Sequence, residues 1–308
     1  MTAMLMPAPG AVQGAAPSLA ALPPGLYSRA ILEAFAAGEH AAFLAGGGRP
    51  LRPRLARALA LADLAPGLRL ADVGCGRGEA SAHALRRGAV VTALDFSRDG
   101  LELTRETAQQ VLGARPAADL ALLQAEASRL PLASASMDRV LLLDVVEHLR
   151  DWQVAALLGE VRRILAPGGL AVIHTLPNRW ALDIGYPLLR GLLPGLPADP
   201  RSDYERAVHV NEQSPRQLRG SLRDAGLGGR VWLEEWSTRQ ARNGRGRDYP
   251  DAPRRLGYPQ LARPLAGRLG RLAMRSPLRS VAANDIFALA WRADGPAPEP
   301  RPRWRPVN

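Results

Sequence analysis

Three alternate glycines, Gly74, Gly76 and Gly78, break an apolar run that carries Leu68, Leu70 and Val73. Each glycine can take positive φ and has no Cβ, so the backbone of such a turn can come close to a ligand. A helix-compatible segment, Glu79 to Arg87, follows at once. Strand, glycine turn and helix start together make a cradle for nucleotide-like molecules. Twenty-one residues after Gly74, the run Ala89-Val-Val-Thr-Ala-Leu ends in Asp95, a carboxylate placed to accept the hydroxyls of a ribose. A pyrophosphate is held by G-x-G-x-x-G, but the spacing here is G-x-G-x-G with Asp72 just ahead of it. A carboxylate aimed at the turn repels a pyrophosphate and suits a ligand that carries an ammonium group. Nicotinamide-dependent hydride transfer is disfavoured on that ground.

Asp144, Glu147 and His148 close another apolar run, and a histidine or carboxylate there could take a proton from a nucleophile. His148 could equally cap its loop, and Glu147 could be base, orienter or anchor. His40, His174 and His209 could border the same cleft or serve the structure. His83 lies inside the helix after the turn, as a surface or packing residue. Cys75 sits within the turn as a small apolar filler, since a reactive thiol needs an electropositive partner.

The elements that must position these residues are legible as apolar runs at 68–73, 89–94, 119–125, 138–143, 169–174, 230–236 and 285–291. The runs are nearly continuous, the mark of strands buried on both faces. Helical stretches separate the first five, among them Arg98 to Leu112 and Asp151 to Leu165. The second is expected to take Asp151 as its N-cap and to stop at Pro167-Gly168-Gly169. Strands alternating with helices make an α/β fold with a doubly wound sheet, whose ligands bind at the C-terminal strand ends. Asp72, Asp95, Glu126 and Asp144 all fall at or near such ends.

A chain of 308 residues holds one large α/β domain with extensions. Its single cysteine excludes an internal disulfide and fits a reducing compartment. No apolar run reaches the ~18 residues of a membrane span. Residues 1–25, rich in Ala, Pro and Gly without a basic start, read as a flexible tail and not a signal peptide; a cytoplasmic location is expected. The net charge of +11 is unevenly placed. Residues 1–236 carry 25 arginines against 24 acids, residues 237–308 carry 15 against 5, and lysine is absent. A neutral core therefore bears a basic module. Within it a short helix over 264–276 would gather Leu261, Leu265, Leu269 and Leu272 on one side, with Arg268, Arg271 and Arg275 beside them. Such a helix can pack on the core or lie on an anionic membrane surface, through 261–279. Nucleic acid is the weakest partner, because aromatics for base stacking are sparse.

Six segments in order carry a resemblance: Asp72-Val-Gly-Cys-Gly-Arg-Gly, Asp95-Phe-Ser, Gln124-Ala-Glu-Ala-Ser-Arg-Leu-Pro-Leu, Met137 to Leu149, Arg163-Ile-Leu-Ala-Pro-Gly-Gly and His209-Val-Asn-Glu-Gln-Ser-Pro. Over about residues 50–236 the chain resembles the class I S-adenosylmethionine-dependent methyltransferases, and is similar to the quinone-ring O-methyltransferases among them. The resemblance implies a seven-stranded, mostly parallel Rossmann-like sheet with a helical N-terminal cap and a basic insertion before the last strand. It divides the chain into a tail (1–25), the cap and core (26–236), the insertion (237–283), the last strand (284–294) and a disordered tail (295–308). It puts S-adenosylmethionine on Asp72, Gly74, Cys75, Gly76, Asp95, Phe96, Glu126, Ala127 and Asp144, with Asp95 on the ribose and Glu126 facing the adenine. Glu147 and His148 are the catalytic candidates it implies.

Asp144-x-x-Glu147-His148 is similar to the E-x-x-E-H motif of two metal-using branches, the quinone-ring O-methyltransferases and the enzymes that methylate the 3′-terminal ribose of small RNAs. His209 would there be a further ligand. Asp in the first position has a shorter reach, and members without a metal also end this strand in Asp-Val-x-Glu-His, so no metal ligand is assigned. The implied activity is in-line methyl transfer to a small-molecule or lipid-like acceptor, at oxygen. Metal-dependent RNA ribose methylation and a non-catalytic, membrane-attached cofactor-binding module are the alternatives. The acceptor pocket is expected from Leu26 to Leu44, from the loop Pro177 to His209 with Trp180 and Tyr186, and from the insertion.

Overall fold

The computed structural model describes residues 20–34, 37–113, 119–192, 196–234, 272–273 and 275–298. Its seven strands are β1 (Arg69–Val73), β2 (Val90–Asp95), β3 (Leu120–Gln124), β4 (Met137–Leu143), β5 (Leu165–Thr175), β6 (Leu227–Glu234) and β7 (Asp285–Arg292). They lie in the order β3-β2-β1-β4-β5-β7-β6. All neighbours are parallel except β7, which runs antiparallel to both β5 and β6. The strand order reverses between β1 and β4, so the crevice for a ligand opens at the C-terminal ends of those two strands.

Helices cover both faces. They are α1 (Arg29–Ala34), α2 (Ala37–Ala45), α3 (Pro53–Ala62), α4 (Glu79–Arg86), α5 (Arg98–Leu112), α6 (Asp151–Ile164), α7 (Tyr186–Leu192), α8 (Asp203–Val208) and α9 (Pro215–Asp224), with a last short turn at Arg279–Ala282. On one face Val154, Leu157, Leu158 and Val161 of α6 join Leu218 and Leu222 of α9 over Val73, Val140 and Ile173 of the sheet. On the other, Ala58, Leu59 and Leu61 of α3, Ala84 of α4 and Leu101 of α5 cover Leu70, Val91 and Leu141. Side chains from both faces of β1 and β4 thus enter a core, which is why these strands read as unbroken apolar runs.

Local chemistry explains the element ends. Ser97 caps α5 by accepting from the Gly100 N–H, and the helix stops at Gly113, whose φ of +69° no β-branched residue would take easily. Ser214 and Gln217 form a capping box at α9, with Pro215 in the first helical position. Two expected boundaries are corrected. The N-cap of α6 is Arg150, not Asp151; Asp151 opens the helix, and the Gln153 side chain accepts from the Arg150 N–H at 3.1 Å. Strand β5 begins at Leu165, before the Pro-Gly-Gly turn, because Leu165 already pairs with Met137 and the register shifts before Leu170 pairs with Arg139.

Residues 20–25, assigned to a flexible tail, are placed: the Ala20 carbonyl accepts from Arg150 Nε, and Pro24–Tyr27 forms a 3-10 turn. The helix over 264–276 lies outside the described residues except for Leu272, Ala273, Arg275 and Ser276, as do most of the insertion 237–283 and the tail 295–308. Among the described residues no helix is long and apolar enough to cross a membrane.

Helix α3 is pinned over the sheet by a buried ion pair. Arg57 Nη2 and Nε donate to Glu234 Oε1 at 3.0 and 3.1 Å, and Trp232 Nε1 donates to the same oxygen at 2.8 Å. Removing one partner of such a pair strands a buried charge, a loss of about 3–5 kcal/mol, whereas replacing both by apolar residues is often near neutral. Arg57→Met is therefore expected to lose about 3 kcal/mol or more in urea unfolding. Glu234→Met in the same chain should recover most of that loss.

Candidate active site

The glycine turn is built tightly against its neighbours. Gly74, Gly76 and Gly78 take φ of +75°, +53° and +81°. A Cβ on Gly74 would meet Val145 Cγ2 at 2.6 Å, and one on Gly78 would meet Thr104 Cα at 2.7 Å. At Gly76 a Cβ would meet nothing within 4 Å. The turn therefore opens to a ligand at Gly76 and is packed shut on either side of it.

Asp95, at the end of β2, ties this turn down. Its Oδ2 accepts from the Gly76 N–H at 2.9 Å and its Oδ1 from the Ser97 N–H at 2.8 Å. Burial pushes its carboxyl above the ordinary value. Each oxygen keeps a second lone pair with which a ribose hydroxyl can be met. Asp72, expected at the ligand's ammonium end, is buried beneath the turn and accepts from Ser81 Oγ at 2.6 Å; burial raises it to about 6. Glu126 is exposed just past β3, Ala127 is half-buried against the core, and Gln124 Nε2 donates to the Phe96 carbonyl at 3.0 Å. Cys75 is buried, takes a hydrogen bond from Thr104 Oγ1, and its thiol is pushed well up by burial. It fills space, as the sequence suggests, and is no nucleophile.

Past β4 the chain turns at Asp144, which adopts a left-handed φ of +58°. Asp144, one of the residues expected at the cofactor, has its carboxylate in two hydrogen bonds: His174 Nδ1 donates at 2.5 Å and Arg54 Nη2 at 3.1 Å. Burial would push this carboxyl up, but Arg54 and His174 hold it well below the usual range. Three residues on, Glu147 is almost wholly buried. Its Oε2 accepts from Thr175 Oγ1 at 2.7 Å, and its backbone carbonyl accepts from the Val210 and Asn211 N–H groups at 3.0 and 3.1 Å. Burial, with the Asp144 charge adding to it, lifts the Glu147 carboxyl to about 8. That shift favours the protonated carboxyl at neutral pH.

His148 is enclosed by Tyr27, the Val208 carbonyl and His209, of which the sequence had grouped only His209 with it. Its Nδ1 lies 3.0 Å from the Tyr27 hydroxyl and 3.2 Å from the Val208 carbonyl. A carbonyl only accepts, so these partners assign the ring hydrogen to Nδ1 and leave the lone pair on Nε2. The ring meets Tyr27 edge to face at 5.6 Å and His209 at 4.9 Å. Burial first, and His209 second, lower His148 to about 4, so it is neutral at physiological pH. His209 is lowered in the same way by burial. Ligand atoms of Glu147, His148 and His209 lie within 4.8 Å of one another, and the buried His209 Nδ1 and Asn211 Nδ2 have no hydrogen-bond partner among the described residues.

Tyr27, within the Leu26 to Leu44 segment expected at the acceptor pocket but not singled out there, is the residue whose hydroxyl meets His148. It belongs to a strap that crosses the strand ends. Ser97 Oγ donates to its carbonyl at 2.8 Å, its ring packs edge to face on Phe96 at 5.0 Å, and Tyr204 hydroxyl donates to the Leu26 carbonyl at 3.2 Å. No motif marks Tyr27; only its place at the start of the cap segment pointed this way. The other histidines separate cleanly. His40 Nδ1 meets Glu79 at 2.9 Å beside α4, and His174 lies inside the sheet. Of the loop residues, Tyr186 is buried and donates to the Pro197 carbonyl, whereas Trp180 remains half-buried.

The sheet order and glycine turn are similar to those of the class I methyltransferases, and the open Gly76 with Asp95 beneath it fits S-adenosylmethionine. Residues 71–173 match the family described as "Methyltransferase domain". Methyltransferase GfsG of Streptomyces halstedii is 34% identical over 123 residues, 39% of this chain and 42% of that protein. A ubiquinone biosynthesis O-methyltransferase of Brucella anthropi is 30% identical over 159 residues, 51% of this chain and 60% of its own length. The chain thus spans about half the length of the curated relatives it matches. Phosphoethanolamine N-methyltransferase 2 of Haemonchus contortus, solved with S-adenosyl-L-methionine, superposes with a TM-score of 0.57 over 86% of this chain and 57% of that one. At 18% identity that likeness speaks for the fold alone.

The raised Glu147 carboxyl gives a stability signature. A carboxyl lifted from 4.5 to about 8 by folding contributes stability that is complete below pH 4.5 and is lost as pH rises through 8. Relative to Glu147→Gln, the wild-type protein should therefore become steadily less stable between pH 5 and pH 8.5 in denaturant titrations. A pH-independent difference between the two would remove the neutral-acid assignment.

Proposed function

We propose that the protein transfers a methyl group from S-adenosylmethionine to a hydroxyl of a small, apolar or aromatic acceptor. The observation that carries this reading is Tyr27, whose ring packs on Phe96 at the end of the ribose strand while its hydroxyl meets His148. Cofactor side and proton-accepting side are thereby joined by one residue. Bound at the glycine turn, S-adenosylmethionine supplies an electrophilic methyl group on a sulfonium. Gly76 and Asp95 would hold it, with Glu126 placed beyond β3 for its base.

His148 Nε2 takes the acceptor's proton in this scheme. A ring lowered to about 4 is a weak base, yet an oxygen becomes strongly acidic as it gains a bond to carbon, so a weak base suffices if proton transfer comes late. Holding donor and acceptor in line can supply roughly 7–11 kcal/mol of the barrier, and a positioned base a further ~10²–10⁴-fold. Glu147 is the anchor: its carbonyl fixes the loop that carries His209. The aromatic surfaces of Tyr27, Trp180 and Tyr204 favour a flat or apolar acceptor, and the likeness to a protein named ubiquinone biosynthesis O-methyltransferase points the same way.

The closeness of Glu147, His148 and His209 favours a second reading, in which the cluster holds a divalent ion that lowers the acceptor hydroxyl's pKa. Calorimetry with S-adenosylmethionine and turnover of alkyl catechols test both. Micromolar cofactor binding, with His148→Asn lowering kcat by ~10²-fold or more and cofactor affinity by less than threefold, is expected. Turnover that survives exhaustive chelation supports His148 alone. Activity lost to the chelator and restored by Mg²⁺ supports the metal, and absence of cofactor binding ends the methyl-transfer reading.

A further inference from the structure

His174 sits at the end of β5, fully enclosed, and takes no part in the chemistry described above. Both of its ring nitrogens face a carboxylate: Nδ1 lies 2.5 Å from Asp144 Oδ1, and Nε2 lies 2.9 Å from Asp285 Oδ1 at the start of β7. Ionised carboxylates only accept hydrogen bonds, so a ring that bonds both must carry a hydrogen on each nitrogen. Within the hydrogen-bonded set of Arg54, Asp144, His174 and Asp285, two carboxylates meet one guanidinium, and an imidazolium brings the set to neutrality. Other charged or titratable groups near it are Arg52, Glu39, Glu147, His148 and His209. Although burial opposes a charge here, Asp144 and then Asp285 raise the ring to about 9.

The consequence lies in what hangs from Asp144. The Asp144 N–H donates to the His174 carbonyl at 3.0 Å, so His174 grips this residue by backbone and side chain together. Its φ of +58° needs such a grip, because a left-handed conformation is disfavoured for a residue with a Cβ. The next residue, Val145, fills the space beside Gly74 under the cofactor turn, and Glu147 and His148 follow. Thr175, next after His174, holds Glu147 in turn. Successive residues of β5 therefore hold two points of the same turn.

We propose that His174 is a positioning residue for methyl transfer: by bridging Asp144 and Asp285 it fixes the turn that sets His148 against the cofactor loop. The inference rests on the methyl-transfer reading and adds to it a residue that touches neither donor nor acceptor. It differs from a plain packing role because the bridge needs two donors, one for each carboxylate. His174→Gln keeps one donor but turns its amide oxygen toward Asp285. Asp285→Asn in the same chain gives that oxygen a donor and rebuilds an uninterrupted bridge.

The test uses the full chain, S-adenosylmethionine and an alkyl catechol as probe acceptor. His174→Gln should lower kcat at least tenfold while the cofactor Kd and the catechol KM stay within threefold. Adding Asp285→Asn should return kcat to within threefold of wild type. In the unaltered protein, ¹⁵N spectra of the His174 ring should show both nitrogens protonated at pH 7.5. A folded His174→Gln variant with wild-type kcat, a folded double variant no better than the single one, or a neutral His174 ring would each overturn the proposal. If His174→Gln does not fold, the double variant and the ring spectrum decide. A wild-type protein that neither binds the cofactor nor methylates the catechol would sink the methyl-transfer reading, while the ring spectrum would still judge the bridge.

Discussion

A carboxylate held in a left-handed turn is the constraint on which the site depends. Asp144 stands where β4 leaves the sheet, and the backbone there must reverse without a glycine to ease it. Strain of that kind, of order 1–3 kcal/mol, persists only where the surroundings over-determine it. Here a guanidinium from α3, an imidazole from β5 and a β5 carbonyl all converge on one residue. Everything further along the turn inherits its position from that convergence. Val145 is driven against Gly74, so the shape of the cofactor loop and the placement of His148 are set by the same side chain.

The turn also separates two electrostatic environments only three residues apart. Asp144 is only half-buried, paired with cations, and stays ionised; Glu147, almost wholly buried and bonded to a hydroxyl, is pushed toward its neutral form by burial and by Asp144 itself. Two carboxyls on one loop thus have opposed protonation, the arrangement from which acid and base roles can be told apart. With His148 and His209 both lowered by burial, the acceptor side of the cleft is a neutral lining of polar atoms beside a charged frame.

Much of this was legible in the residues alone, and the reasons are physical. Strands buried on both faces write themselves as continuous apolar runs. The glycine turn is legible because only glycine tolerates three positive φ values in five residues, and α5 spans Arg98–Leu112 as expected because its cap and its terminating glycine are local signals. What escaped depends on distance along the chain. Tyr27 meets His148 across 121 residues, Arg54 meets Asp144 across 90 and His174 meets Asp285 across 111. No periodicity reports such pairs. The same gap hid the ion network around Asp144, which forms only once α3 and β5 are in place. The bulge that starts β5 early was hidden in turn by Pro167-Gly168-Gly169, which reads as a break although the ladder already exists on its N-terminal side.

The strap that carries Tyr27 is bound by a different kind of force from the turn it covers. Pro24–Tyr27 and α1 bury no side chain completely, and beside the Tyr27 ring on Phe96 their attachment rests largely on polar contacts, among them Ser97 to the Tyr27 carbonyl, Tyr204 to the Leu26 carbonyl, the Arg29 N–H to Asp99, and Arg77 of the glycine turn to the Leu32 carbonyl. Each such bond contributes about 0.5–1.5 kcal/mol net, and water can replace any of them. Elements held this way open at far lower free energy than a core strand does. The Asp144 turn, by contrast, is wedged between the sheet and a buried ion network and has no solvated alternative. The two sides of the site are thus held by different forces: hydrogen bonds and a ring pair for the strap, a charge network for the turn.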